Sequence, residues 1–152
     1  MTPELKLLLL AATPISELRG AIPVGLFVYH FSYWKTALIC ILGNILPIIP
    51  LIYFLKFGAN YLSQKSTFCK KFFDWWFNRA KIAFEEKYAP WGKLALAIFV
   101  AIPSPMTGAW TGAVVSVLFN IKPKEAFLWI TLGVLGACTI VSILCGLGFL
   151  IK

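Results

Sequence analysis

The sequence predicts an all-α integral membrane protein. Its expected plan is an inverted repeat, each half a re-entrant helical hairpin plus a transmembrane helix, the halves joined by an amphipathic interfacial helix. Three observations carry this expectation. Hydrophobic residues make up 60% of the 152 and charged residues only 13%, whereas soluble domains average roughly half apolar and a quarter charged. The apolar stretches come in two sizes, long enough to cross a bilayer or about half that. Finally, the order short, short, long occurs twice, with Gly20-Ala21 and Gly108-Ala109 standing 88 positions apart and Gly43 and Gly133 standing 90 apart.

Taken in order, Thr2-Pro3-Glu4 is a helix start: a capping hydroxyl, proline at the first helical position and an acid in the first turn. The apolar run from Leu5 lasts only to Ala12. About ten helical residues rise about 15 Å, half of a 30 Å hydrocarbon core. Leu5 to Ala12 also has the length of a signal-peptide core, but Glu4 beside Lys6 makes a poor positive leader. A second short piece runs from Ala21 to Phe31. Two half-length pieces joined by a Pro/Gly turn make a hairpin over 3–33 that enters and leaves on one side. Irregular backbone at that depth is tolerated where protein or a wet cavity covers it.

A crossing helix over 36–62 follows, with Asn44, Pro47 and Pro50 predicting a kink. Asn44 reads first as an interhelical hydrogen bond and second as a site residue. Over 63–90 the pattern changes. Lys71, Asp74, Asn78, Lys81 and Glu85 recur at steps of three and four and draw one polar stripe. Phe68, Phe72, Phe73, Trp76, Phe77, Ala80 and Phe84 fill the other face, as in a helix lying in the headgroup plane. The short–short–long pattern then returns as a hairpin over 93–120 and a crossing helix over 123–151. This makes a single membrane domain over 1–152, its repeats at 1–62 and 91–152.

The formal charge of +8 does not point to nucleic acid, because no soluble basic module is present. Lysines flanking membrane segments set orientation. In the hairpin topology ten basic residues (eight between Lys56 and Lys93, with Lys122 and Lys124) oppose Lys6, Lys35 and Lys152. Four plain crossing helices also give ten against three, but group Lys6 and Lys152 with the linker. Either way the linker is expected on the cytoplasmic side. The four cysteines match no zinc or redox spacing and no disulfide framework. The single histidine, His30, has no acid or nucleophile at motif spacing, and no phosphate loop is present, so neither an enzyme nor a cofactor is expected. His30 lies beside Tyr29, Tyr33 and Trp34, as in an interfacial aromatic belt.

The chemistry concentrates at the two tips. Ionisable groups at bilayer depth are costly, about 2.5–3.5 kcal/mol each on insertion scales, and are functional by default. Glu17 and Arg19 are the charged pair of the first tip. Arg19 suits a bidentate anion, and Glu17 suits a titrating role. The amides of Gly20 and Ala21, and of Gly108 and Ala109, would aim helix-terminus dipoles at a negative group. Ser16, Ser104, Thr107 and Thr111 are nearby hydroxyls that either cap those turns or line the path, and Trp110 is either a cavity wall or, more often for an aromatic among apolar residues, packing. A purely structural Glu17–Arg19 pair is the competing reading.

Ile15-Ser16-Glu17-Leu18-Arg19-Gly20-Ala21-Ile22-Pro23, with Pro103-Ser104-Pro105 and Thr107-Gly108-Ala109-Trp110-Thr111-Gly112-Ala113, resembles the small multidrug export family. That family is considered a relative of the DedA (VTT-domain) superfamily, whose fold is two opposed re-entrant hairpins. The resemblance implies a multi-pass protein of a bacterial or archaeal plasma membrane. Its DedA side implies a transporter or flippase for an anionic lipid headgroup such as a polyprenyl (undecaprenyl) phosphate, possible proton coupling included. DedA proteins carry arginines at the second tip, where this chain has none, and Met106 stands where the nearer family is expected to carry glycine. Two alternatives stand beside that reading: proton-coupled export of small hydrophobic cations, and a membrane scaffold that transports nothing. A 17.0 kDa subunit encloses little, which makes a homodimer a further expectation.

Overall fold

A computed structural model describes the backbone of residues 1–88, 91–104 and 107–150, and their side chains except those of 86–88 and 149–150. Pro105 and Met106, and the ends of the expected linker and last crossing helix, lie outside the described residues. Among those described, the chain is all-helical and has no strand. The helices are α1 (Pro3–Ala12), α2 (Glu17–Pro23), α3 (Tyr33–Ile45), α4 (Ile48–Tyr53), α5 (Ala59–Lys65), α6 (Thr67–Tyr88), α7 (Gly92–Ala101), α8 (Ala109–Leu118) and α9 (Pro123–Leu150).

Local chemistry accounts for the boundaries. The Thr2 hydroxyl accepts the Leu5 amide at 3.4 Å, the cap expected for α1. Pro23 removes one amide from the end of α2, and the chain widens there into a π-helical turn, Val24–Val28. The expected kink falls at Leu46-Pro47, between α3 and α4. Pro50 lies in the first turn of α4, where its missing N–H has no helical partner to lose. A second π-helical turn, Phe54–Gly58, carries α4 into α5, so Tyr33–Lys65 forms one 33-residue helical stretch. This stretch and Pro123–Gly148 have mean hydropathies of 2.4 and 2.2 and are long enough to cross a membrane. Leu38, Leu42 and Leu46 on the first, and Leu128, Leu132 and Leu144 on the second, point outward and exposed.

Two features fix the direction of each packing. Glu4 at the start of α1 meets Lys35 at the start of α3 at 2.8 Å. Further along both helices, a Cβ at Gly43 would lie 2.4 Å from the Leu8 carbonyl oxygen, so glycine permits the contact. Helices α1 and α3 are therefore parallel, and the chain must return through α2 to begin α3. The second half repeats this arrangement with its charges exchanged. Lys93 of α7 meets Glu125 of α9 at 2.5 Å, and a Cβ at Gly133 would lie 2.7 Å from the Ala97 carbonyl oxygen. Between the halves the sense reverses. Tyr33 and Trp34 share a cleft with Ser142 and Ile143, whereas Ile49 and Tyr53 share another with Pro123 and Phe127. The two long helices are antiparallel.

Helix α6 corrects the expectation of one aromatic face. Phe73, Ala80 and Phe84 are buried against the rest of the protein, while Phe68, Phe72 and Trp75 are exposed. Phe84 packs edge-on against Phe99 of α7 at 5.6 Å and lies 5.1 Å from the Phe119 ring just after α8. The helix also begins at Thr67 rather than near residue 63, because Ser66 is extended and separates it from α5.

Replacing Gly43 with Val should force α1 and α3 apart and destabilise the protein by about 1–3 kcal/mol, the range for overpacking. Gly148→Ala, where an added Cβ meets nothing within 4 Å, should be neutral. Thermal unfolding in one detergent compares them.

Candidate functional site

The first tip lies between α1 and α2, and the second between α7 and α8. Glu17 opens α2 with φ of 45°, a left-handed conformation that costs a non-glycine residue about 1–3 kcal/mol. Such a conformation persists where contacts over-determine it, and here they come from the other tip. The Glu17 Oε1 accepts the Trp110 amide at 3.3 Å, in the first turn of α8. A carboxylate at a helix N-terminus meets unpaired amides and the positive end of the dipole. The residue is only 7% exposed.

Arg19 reaches to the opposite end of that tip. Its guanidinium donates to the carbonyl oxygen of Ser104, just beyond α7, and to the Thr107 hydroxyl at 3.4 Å. A cation past a helix C-terminus meets its negative end. The hydroxyl of Thr107 also accepts the Ser104 amide at 3.2 Å and donates to the Ile102 carbonyl at 2.5 Å, which holds the second tip in shape. Within the pair, Arg19 Nη2 lies 3.6 Å from Glu17 Oε2. The acid therefore caps the helix that leaves the second tip, while the base holds the turn after the helix that enters it. On a regular helix, residues two apart face different ways. The left-handed Glu17 is what lets both side chains serve one partner.

Gly108 completes the contact. Its φ of 143° is a conformation that disfavours other residues, and a Cβ there would lie 2.1 Å from Glu17 Oε2. Trp110 is a tie rather than a wall: its indole Nε1 donates to the Ala12 carbonyl at 3.1 Å, joining α8 to the end of α1.

These contacts revise two expected roles. The Gly20 amide bonds the Ser16 carbonyl at 2.9 Å and is not free for an anion. The amides opening α8 face Glu17, so the dipole of the second tip is already answered by a protein carboxylate. Ser16, Glu17, Arg19, Gly20, Thr107 and Thr111 border a polar cavity of about 390 Å³, open on one side, with Pro14 and Ile15 at its margin. That volume is within the roughly 300–1,000 Å³ range of ligand pockets. Arg19 keeps its side chain 23% exposed there. Asn44 lies behind the tips. It shares a void of about 10 Å³ with Glu17, Arg19 and Gly108, and its buried Oδ1 has no hydrogen-bond partner among the described residues. His30 is exposed in the turn before α3, away from both tips.

The family model described as "Putative small multi-drug export protein" matches residues 17–140, which include Glu17, Arg19, the second tip and most of both long helices. The chain belongs to this family. Its family and its two long apolar helices together place it in a membrane. No curated protein and no solved structure matches the chain.

The sequence pointed to Glu17 and Arg19 as a pair, but the Gly108–Glu17 contact carried no signal beyond a glycine at the second tip. Gly108→Ala should lower the melting temperature. In a Glu17→Ala background the same change should cost less, because the atoms it strikes are gone. Thermal melts of the four proteins in the double-mutant cycle should show a coupling of about 0.5–3 kcal/mol.

Proposed function

We propose that the protein is a proton-coupled exporter of small hydrophobic cations and not an enzyme. It would work as an inverted repeat of two re-entrant hairpins meeting at Glu17 and Arg19. The repeat is supported by parallel packing within each half and antiparallel packing between them. Hairpin legs of ten residues, α1 and α7, reach about halfway through a bilayer, which is where opposed tips would meet. A site between two such halves is the arrangement in which transporters expose a midplane site alternately. Export is supported by the family's description.

The observation that carries the reading is the position of Glu17, a shielded carboxylate binding one half to the first turn of the other. Without its proton it holds the α8 amides and pairs with Arg19. A proton on it cancels that charge and weakens both attractions, so protonation and tip separation are coupled. Arg19 would ordinarily repel a cation. Here its guanidinium donates to the Ser104 carbonyl and lies 3.6 Å from Glu17 Oε2, contacts that offset part of that repulsion. The carboxylate would then serve proton and cation in turn, as antiport requires. On this reading the protein is a multi-pass component of a bacterial or archaeal plasma membrane, with protons as coupling ion and a second copy as a possible partner.

A second reading has its own support. The exposed part of Arg19, with Ser16 and Thr111, borders the 390 Å³ cavity, a surface for an anionic lipid headgroup such as a polyprenyl phosphate. It would align the chain with DedA-type lipid translocation.

Proteoliposomes loaded with a quaternary ammonium dye and given a pH gradient distinguish these readings. The first expects dye flux that follows the gradient and falls at least about tenfold in Glu17→Gln, the loss expected when a positioned proton-transfer group is removed. Gradient-independent flux, or full flux in Glu17→Gln, contradicts it. Translocation of a lipid phosphate that is lost in Arg19→Ala, with no dye flux, favours the second.

A further inference from the structure

Among the described residues, the polar contacts of the Glu17 carboxylate come from donors. Its Oε1 accepts the Trp110 amide at 3.3 Å, and its Oε2 lies 3.6 Å from Arg19 Nη2. A carboxylate suits such company. A protonated carboxyl carries an O–H that needs an acceptor, and neither an amide N–H nor a guanidinium supplies one.

Behind the tips stands an acceptor that lacks a donor. Asn44 of α3 is 2% exposed, and its Oδ1 has no hydrogen-bond partner among the described residues. Buried polar atoms are nearly always paired, because leaving one unanswered is costly. Asn44 and Glu17 border the same void, of about 10 Å³, where both tips meet both long helices. The first half supplies the polar side chains around it, Glu17, Arg19 and Asn44. Helices α7 and α9 bring Val100, Val134 and Ala137, none of which titrates. Val134 follows Gly133 as Asn44 follows Gly43, so the second half fills the matching place with an apolar residue. Packing alone therefore does not call for an amide at 44.

Size and charge select what the void takes. About 10 Å³ is room for one water molecule and for nothing larger. A metal cation would share the space with the Arg19 guanidinium, which repels it. Water has two hydrogens to donate, and the void offers two acceptors, the Glu17 carboxylate and Asn44 Oδ1.

We propose that this void is a one-water site and that Asn44 is a positioning residue for the proton on Glu17. With Glu17 charged, the water donates one hydrogen to the carboxylate and the other to Asn44 Oδ1. With Glu17 protonated, the carboxyl O–H donates to the water oxygen, and the water still donates to Asn44. The acceptor on Asn44 is answered in both states, and the water only turns. The proton on Glu17 is thus held toward the long helices, away from the open cavity that Ser16 and Thr111 border. A carboxyl turned into that cavity would leave Asn44 unanswered. This role rests on the reading of Glu17 as the proton-bearing group, whichever solute moves.

Infrared difference spectra of the full chain in lipid, taken between acid and neutral pH, test the site. Loss of a band in Glu17→Gln assigns the Glu17 carboxyl, and a shift in heavy-oxygen water assigns bands of bound water. Wild type should show the carboxyl at the lowered frequency of a hydrogen-bonded acid, together with a water band. Asn44→Val and Asn44→Thr match in size and differ by one hydroxyl. The valine variant should lose the water band and raise the carboxyl frequency, whereas the threonine variant should restore both toward wild type. An unchanged carboxyl frequency in Asn44→Val would overturn the proposal and leave Glu17 as the proton carrier. Identical spectra for the two variants would make Asn44 a packing residue and overturn it as well. In wild type alone, a missing water band, or a carboxyl band moved by sodium, would refute a water site without any variant. No Glu17 carboxyl band at any pH would remove this role and the proton-coupled reading together.

Discussion

The rest of the structure depends on one exchange of charge between the tips. Glu17 meets the amide end of α8, and Arg19 meets the carbonyls after α7. Glu17 is buried and is answered by the open amides at the start of α8, while the half-buried Arg19 is answered by the Ser104 carbonyl in the turn after α7. Two problems that are expensive separately, a buried ion pair and two frayed helix ends, offset one another. The left-handed backbone at Glu17 and the glycine at 108 follow from this exchange. The first lets residues two apart reach one partner, and the second leaves room for the carboxylate. In the proposed mechanism the same contact makes the junction conditional, because protonation of Glu17 would weaken it.

The two halves differ in what they bring to the junction while sharing their internal packing. Each sets its first short helix parallel to its long helix through a glycine, and each ties the starting ends with an ion pair whose acid and base are exchanged between halves. At the tips this likeness ends. The first supplies both charges, and the second supplies backbone amides, carbonyls and the Thr107 hydroxyl. An uncharged but polar second tip is therefore what a charged first tip needs. Arginines there would compete with Arg19 for the Ser104 carbonyl.

Much of this was legible in the residues, for identifiable reasons. Half-length apolar runs, the spacing of Gly43 and Gly133, and a Glu and an Arg between apolar runs all leave patterns in sequence. The Thr2 cap and the break at Pro47 are local chemistry and fell where expected. What the residues could not show was partnership across 85 or more positions. Arg19 read as an anion binder because guanidinium suits anions, yet its nearest acceptor is a backbone carbonyl, which every residue has. Gly20 read as an open amide, but a turn within its own tip uses it. Asn44 offered hydrogen bonds, and its oxygen faces a small void instead. On α6, periodicity separated charged from aromatic residues. It could not divide the aromatics between protein and exterior, since that depends on where α7 and α8 lie.

The proposed architecture has the chain turn back at the first tip, so that both ends of the first hairpin would open on one face of the membrane. Single cysteines at Lys6 and at Lys35, in a chain with Cys40, Cys69, Cys138 and Cys145 replaced, report on it through a membrane-impermeant maleimide applied to sealed vesicles of known orientation. The account predicts that both positions label from one face, and that a cysteine at Lys122 labels only from the other. Labelling of Lys6 and Lys35 from opposite faces would mean that the first helix crosses outright, and would contradict it.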